Sequence, residues 1–197
     1  MSHPCRVQVT GGFVLLTAWF VLANGWEPLV TVLGAAAFHE LGHWTVLHLL
    51  GAKAAALRLS VLGAAMEVDS GRLSYGGELA AVLAGPAANL RAALVLTALG
   101  GERWPAAVGA NLVLCAFNLL PVRPLDGGRA LYLLVSWAAG PAAGEAAGRW
   151  AGTVAAAALS GLILWVIWKT GGSLWLLPAL LAGIQWGAVP WLRGVRL

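Results

Sequence analysis

The chain has 197 residues, a formal net charge of +4, 60% hydrophobic and only 10% charged residues, and a mean hydropathy of +0.81. This balance excludes an ordinary soluble domain and indicates an all-α polytopic membrane protein. The small basic excess suits membrane topology and contact with anionic lipid in the bilayer; no nucleic acid partner is expected.

A helix needs about 20 apolar residues to cross the hydrocarbon. Six such spans are predicted, at roughly 11–25, 28–50, 78–99, 104–122, 148–168 and 173–192. The leading tail holds His3, Cys5 and Arg6 and lacks a clear cleavage site before Glu27, so the first span is expected to be retained as an anchor. Cys5 and Cys115 show no spacing of a zinc knuckle or disulfide framework.

The second span carries FHELGH, with His39, Glu40 and His43 inside an apolar run from Pro28 to Gly51. Positions i and i+4 share a helix face, so the two imidazoles can close on one zinc ion while Glu40 takes a proton from water. Buried histidines are more often hydrogen-bonded core residues than ligands. Here, however, two of only four histidines and one of eight acids meet at one spot. Charged residues at membrane depth cost roughly 2.5 to 3.5 kcal/mol each, which asks for a compensating purpose. His43 lies about 12 Å below the cytoplasmic end at ~1.5 Å per residue, so water would enter from the cytoplasm. His48, nine residues after His39, points to nearly the opposite face and is read as packed or interfacial.

Leu57, Leu59 and Val61 alternate with Arg58 and Ser60, and Met66 and Val68 with Glu67 and Asp69, around Gly63. This predicts a small β-hairpin at the membrane edge, which either covers that face or adds an extended substrate as a further strand. The third span contains GPAAN, Gly85 to Asn89. Pro86 allows a kink, Asn89 can bond across spans in packing or in chemistry, and Arg91 is expected to snorkel or pair.

The fourth span ends in NLLPVRPLDGGR, Asn118 to Arg129. Pro121 and Pro124 break the helix, and Gly127 with Gly128 permit unusual backbone angles that would let Asp126 turn back toward the second span. An Asp before two glycines is by itself more often a turn. At matching depth to HELGH it becomes a candidate third ligand. Glu67, Asp69 and Glu78 in the cytoplasmic connection, Glu27 and Glu102 in outer loops, and Glu145 in a surface turn are explained by solvation.

Orientation follows from Arg6, Lys53, Arg58, Arg72, Arg123, Arg129, Arg149, Arg193 and Arg196, which fall on one side of a six-span arrangement, against Arg103 and Lys169. Both termini and access to the site are expected on the cytoplasmic side, in what is expected to be a bacterial cell membrane. Eleven tryptophans fit interfacial anchoring better than a ligand cage.

HELGH, GPAAN and NLLPVRPLDGGR, in that order, resemble the site-2 protease family of intramembrane zinc metalloproteases, over a core of about residues 30–135. The resemblance implies one metalloprotease domain over 1–197, with accessory helices at about 148–192 that gate entry. It implies His39, His43 and Asp126 as ligands of one zinc ion and Glu40 as catalytic base, with Asn118 holding substrate or the developing oxyanion. A membrane-tethered protein substrate, such as a transcription-factor precursor, is implied, with room for a regulatory membrane protein. No PDZ-like insertion fits the connection of about 27 residues before the third span, and no nucleotide-sensing domain of the cystathionine-synthase type is expected after the sixth. VLGAAMEVD is similar to the sporulation-type branch. The competing reading is a noncatalytic metal-binding transporter or channel. A bis-histidine haem protein is disfavoured because His39 and His43 share one helix face.

Overall fold

A computed structural model describes residues 6–60, 63–69 and 73–169. Three strands, β1 (Arg6–Val9), β2 (Lys53–Ser60) and β3 (Gly63–Asp69), and six helices follow the chain: α1 (Gly11–Asn24), α2 (Trp26–Leu49), α3 (Tyr75–Ala98), α4 (Pro105–Asn118), α5 (Asp126–Ala139) and α6 (Pro141–Lys169). The sheet order is β1-β2-β3, with β1 parallel to β2 and β2 antiparallel to β3. The register pairs Val9 with Leu59 on one side and Leu57 with Met66 on the other. Residues 61 and 62 between β2 and β3, and the predicted sixth span, lie outside the described residues.

Local chemistry sets the helix ends. The Thr10 hydroxyl accepts from the Phe13 amide and the Ser74 hydroxyl from the Gly77 amide, capping α1 and α3. Gly25 separates α1 from α2 at φ 86°, a left-handed conformation that costs glycine little. α3, with 24 residues, and α6, with 29, are long and apolar enough to cross a membrane. α1 and α4 are shorter apolar helices of 14 residues each. Many large apolar side chains are exposed while a few polar ones are buried. Leu22 is 87% exposed, whereas Asn89 is wholly buried and His39 and Asn111 nearly so.

The described chain forms two compact units, dividing between Asn118 and Leu119. In the first, α2 packs on α3, and both on α4. The α2–α3 crossing is close because Gly42 of α2 faces α3: a Cβ there would stand 2.5 Å from the Ala84 carbonyl oxygen and 2.8 Å from the Ala88 Cβ.

The second unit corrects two expectations. A fourth span to about residue 122 gives way to a helix ending at Asn118, a non-helical stretch at 119–125, and a helix, α5, starting at Asp126. The sequence does not announce α5, because Asp-Gly-Gly reads locally as a turn. Gly127 and Gly128 have no positive φ. Their small size is what counts: a Cβ on Gly127 would collide with the Leu119 carbonyl, and one on Gly128 would stand 2.6 Å from the Val122 carbonyl carbon. The loop thereby folds onto the first turn of α5. Gly140, at φ 89°, turns the chain into α6, and Gly144 packs against Ser136 and Tyr132 of α5.

Candidate metal centre

His39 and His43 stand one turn apart on α2, with ring centroids 4.7 Å apart and planes at 82°. His39 is buried; His43 and Glu40 are half-buried. The α3 wall beside them is Gly85, where a Cβ would collide with His43 Nε2 and stand 2.7 Å from His39 Nε2. Any side chain at 85 would therefore occupy the space the two ring nitrogens face.

Hydrogen bonds fix which nitrogens those are. His43 Nδ1 lies 2.8 Å from the Ala81 carbonyl oxygen, an acceptor only, so Nδ1 carries the proton and donates. Pro86, within α3, lacks the amide hydrogen that would bond the Val82 carbonyl. His39 Nδ1 lies 2.6 Å from Asn89 Oδ1, while Asn89 Nδ2 donates to the Ala35 carbonyl at 3.0 Å. A reversed amide would set oxygen against oxygen at Ala35, so Asn89 presents its oxygen to His39, and His39 Nδ1 donates too.

With each Nδ1 turned to a carbonyl oxygen, the two Nε2 atoms face each other 3.1 Å apart. Two nitrogens of a tetrahedral zinc site, each at about 2.0–2.1 Å, stand about 3.3 Å apart, so the pair fits the group with little adjustment.

The other candidates fall as follows. Asn118 is the last residue of α4, half-buried, and its Nδ2 donates to the Leu114 carbonyl at 3.0 Å, which ties the side chain to its own helix. Asp126 is the first residue of α5, where a carboxylate favours the positive end of the helix dipole; it belongs to the second unit. In that unit the guanidinium groups of Arg123 and Arg129 lie 4.8 and 5.3 Å from the Tyr132 ring centroid. Burial first, and then the Arg129 charge, lower the Arg123 pKa from the ordinary arginine value, against opposing effects of Tyr132 and Glu145. His48 is exposed and stacks on Trp44, with centroids 5.2 Å apart. Arg91 is exposed on α3. Asn111, buried on α4, is the residue that sequence reasoning misses; its signal is an amide within an otherwise apolar span.

No protein-family model matches the chain. It is 33% identical over 132 residues to Rip3 of Mycobacterium tuberculosis, which carries the provisional name of zinc metalloprotease, covering 60% of this chain and 33% of that protein. It is 30% identical over 137 residues to sll0528 of Synechocystis, named in the same way, covering 65% of this chain and 34% of that one. The chain thus spans about a third of the length of these curated relatives. Among solved structures, the site-2 protease from Methanocaldococcus jannaschii superposes with a TM-score of 0.63 at 21% identity, covering 99% of this chain and 97% of the other. The chain has the fold of a site-2 protease, and the resemblance carried by its three motifs is borne out.

Proposed function

We propose, with that shared fold and motif set as premise, that the chain is an intramembrane zinc metalloendopeptidase that cleaves membrane-tethered proteins within or near their transmembrane segments. The observation that carries this reading is the pair of Nε2 atoms 3.1 Å apart on α2, with the Nδ1 of each ring held by a carbonyl oxygen. A transporter or channel does not require such a pair beside a glutamate at metalloprotease spacing.

His39 and His43 hold the zinc ion, and Asp126 supplies the third ligand. The ion, when bound, acts as a Lewis acid that polarises the scissile carbonyl and lowers the pKa of water from 15.7 to roughly 7. Glu40, next to His39, accepts a proton from the attacking water and later returns it to the leaving amine, as a half-buried carboxylate can. Asn118 spends one amide hydrogen on Leu114 and keeps the second for the developing oxyanion. Substrate must be locally unwound, because a helix keeps its carbonyls in its own hydrogen bonds. The outer edge of β3 suits an extended segment, since β3 pairs on its other side with β2. A membrane-anchored transcription-factor precursor is one example of such a substrate.

The test is Glu40→Gln in detergent-purified chain incubated with single-span proteins. Zinc content should match the parent while cleavage falls by at least about a hundredfold. Full cleavage by Glu40→Gln, or chelator-resistant cleavage by the parent, would overturn the assignment.

A further inference from the structure

The metal reading requires His39 to keep its proton on Nδ1, and the helices around it contain a device that enforces this. Asn89 is wholly buried. Its Nδ2 donates both to the Ala35 carbonyl at 3.0 Å and to Asn111 Oδ1 at 2.8 Å. Asn111, itself buried, donates its own Nδ2 to the Ala107 carbonyl at 2.9 Å. The two backbone carbonyls at the ends of this chain can only accept. The Ala107 carbonyl fixes the Asn111 amide with its oxygen toward Asn89. The Ala35 carbonyl and that oxygen together fix the Asn89 amide with its own oxygen toward His39. Reversing either amide would set acceptor against acceptor, or donor against donor, in a buried site where water cannot replace the lost bond.

We infer that Asn89 and Asn111 are positioning residues: a one-way amide relay from α4 through α3 to α2 that holds His39 in the Nδ1–H tautomer, so that Nε2 faces the cation. Two amides are used where one would satisfy the ring. A single Asn89 bonded only to Ala35 keeps one restraint on its orientation; Asn111 adds the second and ties the tautomer to the packing of α4. This inference rests on the metal reading above, but its first readout needs no metal.

Nitrogen-15 NMR of the histidines in metal-free chain, at mildly alkaline pH, reads the tautomer directly, the His39 signals being those lost in His39→Gln. The parent should show His39 as the Nδ1–H form, whereas Asn89→Leu should shift it toward Nε2–H. Zinc affinity, measured against a competing chelator, should fall about 10–100-fold in Asn89→Leu and less in Asn111→Leu, in line with loss of partners behind a ligand. Asn89→Gln and Asn111→Gln keep an amide donor and acceptor and should retain more of that affinity than the leucine variants, which a purely volumetric role would not predict. Thermal melting of each metal-free variant identifies any that fails to fold, and in that case the Asn111 pair decides. A mixed tautomer in the parent would overturn the relay, as would parental zinc affinity in both leucine variants or glutamine variants as weak as leucine. Should the parent bind no zinc yet show His39 fixed as Nδ1–H, the relay stands and the metalloprotease reading fails.

Discussion

At the scale of single residues, the site is a matter of which atoms carry protons. HELGH places His39, Glu40 and His43 on one stretch of helix, and α2 delivers them so, because the i, i+4 relation depends on little beyond helicity. What the sequence could not convey is the partner of each Nδ1. Ala35 and Ala81 act through their carbonyls, which no side-chain pattern reveals, and Asn89 suits packing as well as chemistry until its bond to His39 is visible. Gly85 shows the same limit. In the sequence it is simply the first residue of GPAAN, whereas in the fold it lies against the two imidazoles themselves. Gly85→Ala should therefore cut zinc affinity by at least about tenfold, with far less effect on the melting temperature of the metal-free chain, as measured by chelator competition and calorimetry. Unchanged zinc affinity would show that the rings face elsewhere.

Among the elements, the starts of α1 to α4 agree with the predicted spans to within about three residues, because long apolar runs bounded by glycine, proline or a capping serine leave little choice. α5 is hidden for the opposite reason. Its first three residues are the poor helix formers Asp, Gly and Gly, and the glycines are explained only by the loop at 119–125 that presses on them, a contact made through tertiary structure. α2 offers a controlled comparison of two glycines in one helix. A Cβ on Gly34 would meet nothing within 4 Å, whereas Gly42 faces the α3 backbone. Gly34→Ala should stabilise by about 0.5–1 kcal/mol, through reduced backbone freedom in the unfolded chain. Gly42→Ala should destabilise by about 1–3 kcal/mol, because α3 must move away. Thermal or denaturant melts in detergent read both, and equal effects would contradict the close crossing.

For the molecule as a whole, outward-facing leucine and tryptophan with inward-facing amides and imidazoles are the pattern of a chain solvated by lipid. Mean hydropathy conveys that class at once, whereas the number of crossings depends on helix length and apolarity together, which only α3 and α6 meet outright among the described residues. Basic residues orient such a chain. On a background without Cys5 and Cys115, single cysteines at Lys53 and Arg129 should react with a membrane-impermeant reagent from the cytoplasmic side, and one at Glu102 from the other. Labelling of Glu102→Cys and Arg129→Cys from the same side would refute the six-span arrangement and, with it, cytoplasmic entry of water to the site.

Zinc chemistry at this site requires that both imidazoles of HELGH bind one cation through Nε2. X-ray absorption at the zinc edge of the purified, zinc-loaded chain measures this directly. A four-coordinate site is expected, with two imidazole nitrogens at about 2.0–2.1 Å and light-atom ligands completing it, and imidazole scattering should vanish when both His39 and His43 are replaced by alanine. A zinc shell without imidazole, or one unchanged in that double variant, would contradict it.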